Sequence, residues 1–346
     1  MVPRVSVLMA VRDGQAYLKE AVESVLRQTY RDFEFIIVDD GSIDSSIEIL
    51  EEYAAEDSRI LLLRHQPSVG LTKALNKGIA IAQGIYLARQ DADDRSMPER
   101  LELQVAYLDS HPALGLLGTA YSVIDAEGTH LATYHHPRTD TEIRWQMLFH
   151  NAFCHSSVMW RSALSKTPDG WYDEQLKYSQ DYDLWARLLE RVAGENLDLP
   201  LVAWRQHSTS IDAVCRNQQQ DLATVVAWKQ IRRLLTHRDS TRDQVRTLRD
   251  WYWQLPSQLS FPDLAICKLY LELLEALDQL ERIDRALLSR IRQSWVTRIL
   301  QGLKIERIGS AEAAKIVASL ARYDRWTVAD SVWRRMILTV KETLRI

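Results

Sequence analysis

Apolar runs and amphipathic repeats alternate along residues 5–88 of the chain. VSVLMAV (Val5–Val11) is a short apolar run, the form taken by a strand covered on both faces. In QAYLKEAVESVLRQ, Leu18, Val22, Val25 and Leu26 recur at the spacing that lines one side of a helix. The alternation then repeats. A strand through FEFIIV (Phe33–Val38) precedes a helix through SSIEILEEYAAE. RILLL (Arg59–Leu63) precedes a helix through LTKALNKGIAIAQG, with Gly84 as its C-terminal cap, and IYLA (Ile85–Ala88) is the fourth strand. This βαβαβαβ order predicts an α/β fold: a mostly parallel, Rossmann-like sheet with right-handed crossovers and helices on both faces.

Beyond Asp94 the alternation loosens. MPERLELQVAYLDSHP reads as a helix with Pro98 near its first turn. LGLLGTAYSVID and HLATYHHP form an antiparallel pair joined through Glu127-Gly128. EIRWQMLFHNAFCHSSVMWRSAL mixes helix and strand periods without a clear division. SQDYDLWARLLERV is a helix, and LVAWRQH (Leu201–His207) is a last strand. From about Arg216 glycine nearly vanishes and helical amphipathic pattern takes over. The chain is therefore expected to divide into an α/β domain over 1–215 and an all-helical C-terminal appendage over 216–346.

Composition narrows the function. At 346 residues the chain exceeds the usual single domain. A formal net charge of −4 sets nucleic acid aside as the main partner. Cys154, Cys215 and Cys267 are odd in number and far apart, which gives neither a disulfide framework nor zinc spacing. A cytoplasmic setting fits best, since the N-terminal apolar run is too short for a signal peptide and no segment reaches the roughly 20 apolar residues of a spanning helix. The final segment, DRWTVADSVWRRMILTVKETLRI, sets Trp326, Trp333, Met336 and Ile337 on an apolar face beside Arg325, Arg334, Arg335 and Arg345. That pattern fits packing within the appendage, a homo-oligomer contact, or peripheral attachment to the anionic inner face of a membrane.

Candidate chemistry lies where strands end. In open parallel sheets ligands bind beyond the carboxyl ends of the strands. The first strand runs into Ala10–Asp13, the second into Asp39-Asp40, and the fourth into QDADD, with Asp91, Asp93 and Asp94. Carboxylates that close raise one another's pKa unless a cation or water compensates. MAVRDGQAY offers one glycine where a dinucleotide fold needs a Gly-rich phosphate turn, and no Walker A sequence occurs. A divalent cation held by carboxylates, Mg²⁺ or Mn²⁺, is the obvious candidate to neutralise a nucleotide's phosphates.

Three segments together, VSVLMAVRDGQAYLKEAVESVLRQTYRDFEFIIVDDGSIDSS, GLTKALNKGIAIAQGIYLARQDADDRSMPERL and SQDYDLWARL, resemble family 2 glycosyltransferases with the GT-A nucleotide-sugar-binding fold over residues 3–212. The resemblance implies an inverting transfer of a sugar from a nucleotide-diphosphate sugar donor to an acceptor hydroxyl, on a saccharide or lipid-linked acceptor. It implies that Asp40 binds the base or ribose, with Ala10 and Arg12 beside the nucleobase. Asp91 and Asp93 match the DxD motif that holds the metal at the diphosphate. Asp181 matches the catalytic base, and His207 the late histidine that completes the metal's coordination. Asn76 and Lys73 either reach the nucleotide or are solvated helix residues. Arg205 either meets phosphate or is an ordinary strand-end arginine. His150, Cys154 and His155 fall beside the acceptor pocket by the same resemblance. Ala10, Arg12 and Asp13 stand where the family commonly has Pro, an aromatic and Asn, Gln180 where it has Glu, and Gly170 where it has a Gly-Gly pair. These departures bear on donor identity more than on reaction type. The rival classes are a nucleotidyltransferase, which wants a basic Gly-rich loop that VRDGQAY does not supply, and an inactive nucleotide-sugar-binding scaffold.

Overall fold

A computed structural model describes residues 2–253 and 264–302, together with 318 and 321. The expected final helix over 324–346 lies outside the described residues. Contacts divide the chain into two compact units, Met1–Val226 and Ala227–Ile346.

In the first unit, β1 (Val5–Val11), β2 (Phe33–Asp39), β3 (Ile60–Arg64) and β4 (Tyr86–Arg89) lie in the order β3–β2–β1–β4, all parallel. α1 (Leu18–Leu26), α2 (Ser46–Glu56) and α3 (Leu71–Ile81) connect them. Every residue of β1 and β2 is buried, which is why neither strand alternates in sequence. Val5, Val7, Met9 and Val11 share one core with Leu18, Val22 and Val25 of α1. Leu8 faces the other way, onto α3. There Gly78 lets the helix approach closely, because a Cβ would lie 2.2 Å from Leu8 Cδ1.

The sheet then continues through strands of mixed direction: β5 (Arg95–Ser96), β6 (Leu114–Ile124), β7 (His130–Tyr134), β8 (Met159–Arg161) and β9 (Ala193–Arg205). β4 pairs antiparallel with β8, β8 with β6, and β6 runs parallel to β9, whose far edge takes β5. The expected β6–β7 pair is antiparallel as read. α4 (Arg100–Ser110), α5 (Asp140–Met147) and α6 (Gln180–Leu189) cover this half.

Three readings change. Gly84 does not cap α3, whose C-cap is Ala82; it is small because a Cβ would lie 2.5 Å from the Ser6 nitrogen. The last strand begins at Ala193, eight residues before the expected Leu201, because Asp198 and Pro200 hide it. Pro200 has no N–H for a ladder, and the β6–β9 register slips there, between Thr119↔Leu197 and Ala120↔Pro200. The undivided stretch from Glu142 resolves into α5, a 3₁₀ turn at His155–Ser157, β8 and a second 3₁₀ turn at Ser162–Ser165.

α7 (Ile211–Val214) and α8 (Arg216–Leu234) follow β9, and the division between the units falls inside α8. The second unit contains α9 (Arg242–Trp253), α10 (Leu264–Asp278) and α11 (Arg285–Gly302). Its core is rich in leucine and holds an aromatic cluster, in which the Tyr270 ring lies 5.8 Å from Trp251 and 4.8 Å from Trp295. No helix among the described residues is long and apolar enough to cross a membrane.

Candidate active site

A cavity of about 780 Å³ opens at the carboxyl edge of the parallel strands. Ala10, Arg12 and Asp13 after β1, Asp40 after β2, and Arg89, Asp91 and Asp93 after β4 line it. Leu176, Lys177, Tyr178, His207 and Cys215 line it from the later part of the chain. The topology brings these positions together because parallel strands all point their carboxyl ends to one edge.

The acidic turn after β4 is tied on every side. Asp91 accepts from Arg89 through Oδ1 and from the Ser156 hydroxyl through Oδ2 at 2.7 Å, while its own N–H donates to Ser156 Oγ at 3.1 Å. Burial raises the Asp91 carboxyl, but Arg89, His155 and Ser156 outweigh it and hold the group below the usual carboxylate range. Asp94 is wholly buried. It accepts the Arg205 N–H at 2.8 Å and shares the Ser156 hydroxyl with Asp91. Burial, with Asp93 and Asp91 nearby, pushes Asp94 well above the usual range.

Asp93 is the turn's outward group. Its Oδ2 lies 3.0 Å from His207 Nε2, and His207 Nδ1 lies 2.9 Å from Thr209 Oγ1. Burial and the neighbouring Asp91 push the Asp93 carboxyl up, so the site favours added positive charge. The His207 ring rests 4.9 Å from Tyr17.

At the other end, Asp40 receives the N–H groups of Val69 (2.7 Å) and Gly70 (2.9 Å) and the Ser68 hydroxyl (2.7 Å). Its carboxylate thus pins the loop entering α3, where Gly70 adopts φ +94°. Arg12 lies mostly in solvent and donates to Ser68 Oγ at 3.1 Å. Asp39 accepts the Ser42 N–H, a bond that fixes the turn after β2.

A family model described as "Glycosyl transferase family 2" matches residues 6–167. EpsE of Bacillus subtilis is 36% identical over 209 residues, covering 60% of this chain and 74% of that protein. The O-antigen biosynthesis glycosyltransferase WbnJ of Escherichia coli is 31% identical over 211 residues, covering 60% and 81%. The chain belongs to glycosyltransferase family 2. It is a glycosyltransferase. Staphylococcus aureus TarS, solved with UDP-GlcNAc, has the same fold, with a TM-score of 0.56 at 17% identity over 88% of this chain and 92% of that one.

The glycosyltransferase gathers Ala10, Arg12, Asp40, Asp91, Asp93 and His207 on one cavity. Two expected nucleotide contacts, Asn76 and Arg205, are not among the walls of the cavity. Asn76 is buried away from the cavity. Its amide donates to the Tyr172 carbonyl (2.9 Å) and to Glu174, and accepts the Tyr172 N–H (2.9 Å). Arg205 is also buried. It donates to the carbonyls of Asp93, Asp125 and Ala126 and to Glu20, with its guanidinium 4.6 Å from the Tyr17 ring. Both side chains are thus engaged with partners inside the protein.

Asp181 stands in the first turn of α6, two residues after the N-cap Ser179, whose φ is +56°. It is therefore not the helix cap. Its Oδ2 accepts from Asn151 Nδ2 at 2.7 Å, and its charge bears on buried His155 and Tyr172. It is not among the walls of the cavity. Ser156, Asn151 and Tyr17 escaped the sequence reading. The acidic turn signalled that some donor must face it, but a serine 65 residues away carries no local mark.

Proposed function

We propose that this glycosyltransferase moves a sugar from a nucleotide-diphosphate sugar to a hydroxyl of a saccharide or lipid-linked acceptor, with inversion and with Mg²⁺ or Mn²⁺. The observation that carries this is the pairing of Asp93 with His207 on the cavity wall, 114 residues apart in sequence. One carboxylate and one imidazole, with the rest of the shell from water and diphosphate oxygens, suit a small hard cation. Among the described residues no group of three or more His, Cys, Asp and Glu side chains forms a ready-made metal cage. That favours a metal that enters with the nucleotide. When bound, it would stabilise the charge developing on the departing diphosphate.

The protein's own groups do the rest. Arg89 and Ser156 hold the Asp91 carboxylate in one orientation at the cavity wall. Asn151 orients Asp181, which takes the proton from the attacking hydroxyl.

TarS is named in complexes with UDP and UDP-GlcNAc, which puts UDP-sugars first among donors. WbnJ and the amylovoran biosynthesis protein AmsE of Erwinia amylovora, 31% identical over 172 residues, carry names from polysaccharide synthesis, which supports a saccharide acceptor. The test is calorimetric titration of UDP, GDP, dTDP and CMP with Mn²⁺ or Mg²⁺ and again with EDTA. One nucleotide should bind tightly with metal and weakly without. Equal affinity in EDTA removes the metal from the reading, and no binding in any combination removes the donor.

A further inference from the structure

Arg100 lies on the first turn of α4, is 1% exposed, and does not line the cavity. Among the described residues no carboxylate pairs with it. Its Nη1 donates to Ser96 Oγ (2.8 Å) and Gln90 Oε1 (3.2 Å), and its Nη2 to the carbonyls of Arg89 (2.8 Å) and Val158 (3.4 Å). Its Nε donates to Gln104 Oε1 at 3.1 Å. A buried guanidinium without a contacting anion is expensive to keep, and three of those partners, Arg89, Gln90 and Ser96, flank the acidic turn itself.

The direction of the bonds decides what the arginine does. A guanidinium only donates, so the Gln90 amide must present its oxygen to Arg100, and Ser96 Oγ–H reinforces this at 2.6 Å. The amide nitrogen is then forced the other way, where it donates to the carbonyls of Asp91 (3.1 Å) and Asp94 (2.9 Å). With the Asp93 carbonyl held by Arg205 at 2.9 Å, the three aspartates have their carbonyls fixed from beneath.

We infer that Arg100 is a positioning residue for the transferase site, acting through Gln90 to set the backbone of the turn that carries Asp91, Asp93 and Asp94. The inference uses the proposed role of that turn for its effect on turnover, but the turn's own order can be read without any substrate. Arg100 stays charged at neutral pH even though burial pushes its pKa down to about 10.

The test uses the full-length protein and the variants Arg100→Met, Arg100→Lys and Gln90→Met. Hydrogen exchange of backbone amides 91–96 should quicken about tenfold in Arg100→Met and Gln90→Met, while amides of β1 and β2 keep their protection. Lys retains the charge and some donors, so Arg100→Lys should fall between. Hydrolysis of the preferred nucleotide-sugar should drop in kcat by roughly 10²-fold, the usual loss for a misplaced site group. The double variant should be no worse than either single one, since both break one path. Unchanged exchange at 91–96 in Arg100→Met overturns the inference. A rise spread evenly over the unit also overturns it, because that marks loss of stability alone. If Arg100→Met does not fold, Gln90→Met decides on the same readout. A wild-type protein that turns over no nucleotide-sugar sinks the transferase reading, and the exchange comparison still stands.

Discussion

Asp181 and His136 show how differently two side chains of one domain bear on its chemistry. Asp181→Asn preserves the shape that Asn151 holds but removes the proton acceptor. Transfer should fall by about 10²–10⁴-fold while donor affinity measured by calorimetry stays level. Retained activity would make Asp181 structural. His136 is partly buried, its Nε2 has no hydrogen-bond partner, and its ring lies 5.4 Å from Tyr121. Burial lowers its pKa to about 4. Between about 4 and the ordinary value near 6.5, the unfolded chain therefore holds more protons than the folded one. Stability accordingly rises with pH through that window and is lost on acidification, by an amount on the order of 3 kcal/mol. Urea unfolding at pH 7 and pH 4.5 should show a larger loss for the wild type than for His136→Phe; parallel losses would exonerate the histidine. At this scale the sequence showed the acidic positions, since carboxylates at strand ends stand out against apolar runs. It did not show which way each carboxylate turns. Asp40 and Asp93 look alike in sequence, yet one binds backbone N–H groups and the other faces His207.

Elements were legible where a single period ran unbroken. β1 and β2 end within a residue of their expected limits because both are mostly apolar and buried along their whole length. β9 was half hidden because a long strand with an irregular register has no constant alternation to read. Gly84 was placed in the right connection for the wrong reason. A cap glycine needs a left-handed backbone, whereas this one needs an absent side chain, and one-dimensional pattern does not separate the two. The difference is measurable. A methyl at position 84 would meet the Ser6 nitrogen and the Val5 carbonyl carbon at 2.5 and 2.7 Å, backbone atoms of a central strand that cannot step aside. Gly84→Ala should therefore destabilise the domain by about 1–3 kcal/mol in urea unfolding, the usual range for overpacking. A change within 0.5 kcal/mol would mean the connection relaxes freely.

At the scale of the whole molecule, every wall residue of the cavity belongs to the first unit, the last of them, His207, Thr209, Ser210 and Cys215, lying between the end of β9 and the start of α8. A chain ending at Leu234, the end of α8, should bind the preferred nucleotide diphosphate with the affinity of the full protein. Weaker binding by a folded fragment would assign residues beyond 234 a part in the site. The walls also come from positions as far apart as 10 and 215. Since domains form as units during synthesis, amino-terminal part first, a nascent chain has the β1–β4 half of its pocket long before Lys177, His207 and Cys215 leave the ribosome. A transcript cut short before that point yields a product with no complete pocket, so truncated copies in a cell would draw nothing from its supply of activated sugar.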